Sequence, residues 1–224
     1  MTFPRSKFII VTGTDTGVGK TITTAALAVL LETRGMSVAV VKPVQTGMET
    51  GEPSDVDEIN RLTGVTEVRE FSRLRDPLAP ESAALLEGVV LPTVAELTTR
   101  IRTITVDVVL VEGAGGLLVR IDLDGGTMLD AALSLSADVV VVGREGLGTL
   151  NHTQLTVDPL RAVGIQPHLV LGCCAAEPGL AEKNNHADLP RITGLPIEGR
   201  IPEGAGALSR EKFRAQAPAW FSFR

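Results

Sequence analysis

The sequence predicts an α/β fold of the phosphate-loop type: a single domain in three layers, with a mostly parallel central sheet flanked by helices. Three observations carry this reading. Short Val-rich runs recur along the chain without alternating with polar residues, as strands buried on both faces do. Segments with helical periodicity lie between them, and strand–helix alternation builds parallel sheets with right-handed crossovers. The first run leads directly into a glycine-rich loop ending in Gly-Lys-Thr.

The elements follow in order. "KFIIV" from residue 7 is the first strand, and "VTGTDTGVGKT", residues 11–21, is its loop. Residues 20–34 form a helix that places Ile22, Ala26, Val29 and Leu30 on one side, and Gly35 ends it. "SVAVV" from residue 37 is the second strand and runs into "KPVQTG", residues 42–47. The segment 77–88, "PLAPESAALLEG", opens on prolines and closes on Gly88 as a helix does. Weaker periodicity marks a helix over 93–104. "VDVVLV" from 106 is a strand ending in Glu112, and "ADVVVV" from 137 is the next. Helices are predicted over 149–163 and 178–190, on either side of the strand "HLVLG" from 168. "IEGRIPE", 197–203, adds a late strand, and the segment 210–224 reads as a terminal helix with a partly packed end. No repeat, low-complexity linker or domain break interrupts 1–224.

Composition narrows the function classes. The net charge of −6 disfavours a nucleic-acid or anionic-membrane surface as the main partner. No apolar run reaches membrane-spanning length, and "FII" near the start is too short for a signal-peptide core. Cys173 and Cys174 are adjacent, a spacing that strains a disulfide. The expectation is a cytoplasmic protein with reduced thiols.

The chemistry lies at strand ends, where α/β sheets bind ligands. Five residues separate Gly13 from Gly19, against four in the usual phosphate loop. Backbone N–H groups of such a loop point at phosphates, and the helix N-terminus adds positive potential. Lys20 would neutralise the β- and γ-phosphates of ATP or another nucleoside triphosphate, and the Thr21 hydroxyl would ligate Mg²⁺. Glu112 ends a buried strand and precedes Gly113, Ala114 and Gly115, so a second Mg²⁺ ligand is expected there. Lys42, at the end of the second strand, brings a second cation to the same edge, suited to charge developing on a phosphoryl acceptor. The stretch "EPSDVDE" offers Asp55, Asp57 and Glu58 as further acids. After the fourth strand, Gly148 with Thr149 or Asn151 can cap a helix.

"GTDTGVGKT", "KPVQTG", "VEGAGG" and "LGTLNHT" together resemble the dethiobiotin synthetases, over roughly residues 8–205. The long phosphate loop is itself typical of that family. The resemblance implies an enzyme that closes a ureido ring on 7,8-diaminononanoate, using CO₂ and a nucleoside triphosphate with Mg²⁺. It implies that Lys42, Lys20 and Thr16 serve the carbamate and the transferring phosphoryl group, and that Thr46 meets the carbamate or diamine. Gly148, Thr149, Leu150 and Asn151 would receive the substrate carboxylate from the neighbouring subunit of a homodimer. Thr21, Asp55 and Glu112 would hold Mg²⁺, Asp55 being chosen because the Ser-Asp pair fits the family. Nucleotide contacts would come from Gly17, Val18, Gly19, Lys20, Thr21, Ile22, Asp55, Glu112, Gly113, Ala114, Gly115, Cys173, Pro202, Glu203 and Gly204.

Two positions depart from the family pattern. Gly17 stands where many relatives have Glu. Cys173 falls where relatives often place an Asn that reads the base, so relaxed nucleotide choice is expected. The competing class is a partition-type ATPase switch. Its loop usually carries a second lysine where this chain has Thr14, and "KPVQTG" has no clear use in it.

Overall fold

The computed structural model describes residues 3–49 and 51–223, so Arg224 of the expected C-terminal element lies outside the described residues. Successive residues of the Val-rich runs point to opposite sides, and both sides are covered. In β1 (Phe8–Gly13), Ile9 and Val11 pack into one layer and Ile10 into the other. The chain continues through α1 (Lys20–Thr33), β2 (Val38–Gln45), α2 (Asp55–Thr63), β3 (Val68–Arg73), α3 (Pro80–Glu87) and α4 (Val94–Arg102). It goes on with β4 (Val108–Gly116), α5 (Met128–Leu135), β5 (Asp138–Arg144), α6 (Thr149–Ala162), β6 (His168–Cys174), α7 (Leu180–Thr193), β7 (Ile197–Pro202) and α8 (Arg210–Gln216).

The seven strands form one sheet in the order β3-β2-β4-β1-β5-β6-β7, and every neighbouring pair is parallel. One core layer joins α1, α2 and α8 to the sheet through Leu27, Leu31, Ile59 and Phe213. The other joins α4 to α7 through Leu97, Ile101, Met128, Leu160 and Leu189.

The topology positions the site. The connection after β1 crosses to β2, whereas the one after β4 crosses to β5, so the crossover direction reverses at the β4–β1 pair. Ligands bind beyond the carboxyl ends of strands at such a reversal. There Val11 pairs with Glu112, and one residue earlier on β4, Val111 pairs with Val41. This register sets Lys42 beside Glu112 and both beside the glycine loop.

The expected strands and helices are present, and the sheet is wholly parallel. The 20–34 helix differs in character: Thr23 to Leu31 are all buried, so α1 is a central helix and not a one-sided one. β3, "VREFSR", carries no apolar run because it is an edge strand. α2 and α5 are short, with Ser54–Asp57 and Thr127–Asp130 capping boxes. Their third-position Asp, in place of the usual Glu or Gln, weakened the sequence signal. Beyond α8 the chain returns to the sheet, where Phe221 pairs with Gly199 of β7.

Candidate active site

The loop between β1 and α1 curls back on itself. Gly17 and Gly19 have φ of +71° and +93°, which L side chains rarely adopt, so glycine permits the curl. Gly19 caps α1 with no side-chain partner, leaving the first helical N–H groups free for an anion. Lys20 is buried, and its Nζ donates to the Asp15 carbonyl at 3.0 Å. Burial holds its pKa below the ordinary lysine value, with Lys42 adding repulsion.

Lys42 is 3% exposed, and three acceptors surround its ammonium. It donates to Glu112 Oε1 at 2.9 Å and to the Gly113 carbonyl at 3.2 Å, and meets Asp55 Oδ2 at 2.5 Å. Burial works against its charge, but the Glu112 and Asp55 carboxylates prevail and raise its pKa, so it is an ammonium at neutral pH. Burial pushes the Glu112 carboxyl up, opposed by Lys42. The Thr21 hydroxyl donates to the same Glu112 oxygen at 2.9 Å. Thr21, Asp55 and Glu112 therefore converge on one point, and Lys42 lies at it.

Mg²⁺ fits this donor set. Glu112 Oε2 is buried and has no hydrogen-bond partner among the described residues. An orphaned carboxylate oxygen costs roughly 1–3 kcal/mol or more, which a cation or its water would relieve. Two carboxylates and a hydroxyl suit Mg²⁺, which takes few protein ligands beside phosphates and water. Gln45, 6% exposed, accepts the Asp55 backbone N–H at 3.3 Å and so holds the start of α2 against β2.

These groups line a cavity of about 810 Å³. Its wall includes Thr16, Gly17, Gly19, Lys20, Thr21, Ile22, Lys42, Thr46, Asp55, Glu112, Ala114, Gly115 and Cys173. Most of the expected site residues thus share one enclosure. Gln45, Val119 and the segment from Pro77 to Pro80 also line it and were missed from sequence. In the sequence the prolines mark a helix start; in the fold Pro77 also packs against Gly47, where an added Cβ would lie 3.1 Å from its side chain.

Comparison with known proteins gives the lineage. An AAA domain family model matches residues 7–208. The ATP-dependent dethiobiotin synthetase BioD of Rhodococcus jostii is 48% identical over 95% of this chain and 94% of its own. That of Streptomyces coelicolor is 48% identical over 96% of this chain and 91% of its own. The chain belongs to the dethiobiotin synthetase family. Solved structures share the fold alone. A MinC:MinD cell division protein complex from Aquifex aeolicus has a TM-score of 0.54 at 16% identity, covering 94% of this chain and 86% of that one. Chloroplast FtsY from Physcomitrella patens has 0.52 at 18%, covering 95% and 65%.

The remaining residues expected from family resemblance divide between the rim of this enclosure and the start of α6. Val18 is buried under the phosphate loop, and the Gly113 carbonyl faces Lys42. Pro202 pairs with Cys174, and the Glu203 N–H donates to the Cys174 carbonyl at 2.8 Å. Pro202, Glu203 and Gly204 therefore stand beside Cys173. Cys173 itself has a φ of +54° and an exposed side chain. Partial shielding of its sulfur by the surrounding loop, then Glu203 and Glu145, raise its thiol pKa, so it stays neutral although the residue as a whole is exposed. Gly148, Thr149, Leu150 and Asn151 do not line the cavity within one chain. Gly148 and Asn151 are exposed, while the Thr149 hydroxyl is buried against that of Thr153 at 3.3 Å.

Proposed function

We infer that this chain is an ATP-dependent dethiobiotin synthetase, a cyclo-ligase of biotin synthesis. The observation that carries the reading is the meeting of Lys42, Thr21, Asp55 and Glu112 at the mouth of a phosphate loop, inside one cavity. A switch ATPase needs the loop and the cation ligands. It has no evident use for a second buried lysine in the same cavity.

The substrates are 7,8-diaminononanoate, CO₂ and a nucleoside triphosphate. One amine adds to CO₂ and loses a proton, giving a carbamate. A carbamate oxygen attacks the γ-phosphorus and the nucleoside diphosphate leaves. The second amine attacks the carbonyl carbon of the mixed anhydride, phosphate departs, and the ring closes. The nucleophiles belong to the substrate, so the protein positions reactants and stabilises charge. Lys20 and the N–H groups at the start of α1 hold the β- and γ-phosphates. Lys42 holds the carbamate and the phosphoryl oxygens, each contact worth about 1.5–3 kcal/mol. Thr16 and Thr46 offer hydroxyls to the carbamate or amines. Thr21, Asp55 and Glu112 would hold Mg²⁺, which would supply positive charge to offset that of the triphosphate.

Because the start of α6 stands apart from the cavity of its own chain, its free N–H groups are assigned to the substrate carboxylate of a neighbouring copy, which makes the working unit a homodimer. Among the described residues no helix is long and apolar enough to cross a membrane. We place the enzyme in the cytoplasm because it needs no membrane for this chemistry. Phosphate release that requires 7,8-diaminononanoate, bicarbonate and Mg²⁺ together tests the reading. Release that proceeds equally without the diamine would exclude it.

A further inference from the structure

The turn that carries β5 into α6 is held from three sides. The Arg144 guanidinium donates to Asp15 of the phosphate loop at 2.9 Å. The Glu145 carboxylate, in a residue only 6% exposed, accepts the Ala175 backbone N–H at 2.5 Å and faces His186 Nε2 at 3.0 Å. The Asn185 amide, on α7 and itself buried, donates to the carbonyls of Glu145 at 2.8 Å and Gly146 at 3.1 Å. Ala175 directly follows Cys173 and Cys174 at the base end of the cavity. Gly148 to Asn151 begin two residues after Gly146. Three consecutive residues thus join the phosphate loop, the base loop and the start of α6.

A buried carboxylate is an expensive strut. An apolar side chain would fill the same space without the desolvation cost of a charge. What a carboxylate adds is direction: Glu145 fixes the main chain of a different loop through a charge-assisted bond. On its outer side the same turn is open, with Leu147 84% exposed and Gly148 uncapped by any side chain.

We propose that Glu145 is a positioning residue that couples the nucleotide site to the loop Gly148–Asn151, so that nucleotide binding tightens diamine binding. Ordering the phosphate and base loops fixes Asp15 and Ala175. Through Arg144 and Glu145 this fixes the backbone that receives the substrate carboxylate. In a homodimer whose tail site serves the neighbour, the coupling runs from one subunit's nucleotide to the other's diamine. The inference rests on the dethiobiotin synthetase reading above.

The test is calorimetric titration of the full-length enzyme with 7,8-diaminononanoate, with and without a non-hydrolysable ATP analogue and Mg²⁺. The ratio of the two dissociation constants measures the coupling, and linkage requires the diamine to tighten the nucleotide equally. The wild type is expected to show a ratio of about fivefold or more, the lower end of ordinary coupling. Glu145→Ala should bring it below about twofold, with the diamine KM raised and kcat at saturation little changed. Glu145→Gln, which keeps an acceptor for Ala175, should restore part of it. If Glu145→Ala does not fold, Asn185→Ala must lower the ratio by itself. An unchanged ratio in the folded variants, or a wild-type ratio near one, overturns the proposal. If the wild type shows no diamine-dependent phosphate release, it is the reading of function that fails. A merely structural Glu145 would alter both dissociation constants together and leave their ratio intact.

Discussion

Replacing Lys42 by glutamine removes the charge at the centre of the site and keeps a hydrogen-bond donor of similar reach. The wild-type ammonium stands between Glu112, 1% exposed in its side chain, and Asp55, 31% exposed. Stripping one partner from a buried ion pair costs about 3–5 kcal/mol. The retained donor and the partly exposed Asp55 reduce this to roughly 2–4 kcal/mol, so ligand-free protein should melt about 5–15 °C lower. The sign of the pH dependence follows from Glu112. Burial already raises its carboxyl above 4.5, and the variant lacks the opposing ammonium. A carboxyl raised in the folded state holds its proton longer than in the unfolded chain. The variant's stability from this group is thus full below the unfolded pKa and lost as pH rises through the folded one. The gap in melting temperature between wild type and Lys42→Gln should widen as pH rises above the ordinary carboxylate range. Turnover should fall by about tenfold to a hundredfold, the worth of one charge-assisted contact, while nucleotide affinity changes less. At a pH where Glu112 is ionised, nucleotide-free Mg²⁺ binding should strengthen, because the carboxylates lose the cation that competes with it. Scanning calorimetry across pH, steady-state kinetics and Mg²⁺ titration read the three effects. Unchanged turnover together with a pH-independent melting gap would refute the assignment of Lys42 to the reacting centre.

Lys20→Ala should lower kcat by orders of magnitude while circular dichroism keeps the folded spectrum; near-normal turnover at saturating nucleotide would exclude the phosphate-loop role. Gly172→Ala should raise the nucleotide KM and destabilise by about 1–3 kcal/mol as overpacking does, because a Cβ there would lie 2.0 Å from the Val18 carbonyl oxygen; a nucleotide KM and melting temperature equal to the wild type's would show that the phosphate loop does not need that close approach. Mixing inactive Lys20→Ala with an inactive Asn151 variant should restore activity through one intact composite site, whereas a strictly monomeric active enzyme in sedimentation would end the dimer proposal. Cys173 is a neutral thiol and cannot make the paired contacts of an amide. CTP, GTP and UTP should therefore support kcat/KM within about tenfold of ATP, one lost bidentate contact being worth ~1–3 kcal/mol; a preference for ATP above about a thousandfold would show that other groups read the base.

The sequence by itself determined the fold class and the reactive core. Val-rich runs buried on both faces have one common home, a parallel sheet, and Gly-Lys-Thr after the first run marks the phosphate end of it. Lys20, Thr21, Lys42 and Glu112 were legible because each follows an apolar run, although the strands expected to end at Lys42 and Glu112 continue to Gln45 and Gly116, where polar and glycine residues hide the extension. The residues alone leave Asp55 as one of three acids, because a carboxylate at the start of a short helix carries no periodicity, and only the family resemblance picks it out. The fold separated them: the capping box turns Asp57 onto Ser54, and Gln45 holds the chain so that Asp55 reaches Lys42. The polar edge strand β3 and the short helices α2 and α5 were unreadable for a related reason, since their stability comes from packing against neighbours. Only the tertiary structure decided that Gln45 and Pro77 wall the cavity, and that Arg144, Glu145 and Asn185 fasten three loops. Those contacts join residues up to 129 positions apart, between groups whose local patterns are those of ordinary polar surface. Spacing along a chain fixes what each strand end carries, whereas the order of strands in the sheet fixes which ends meet.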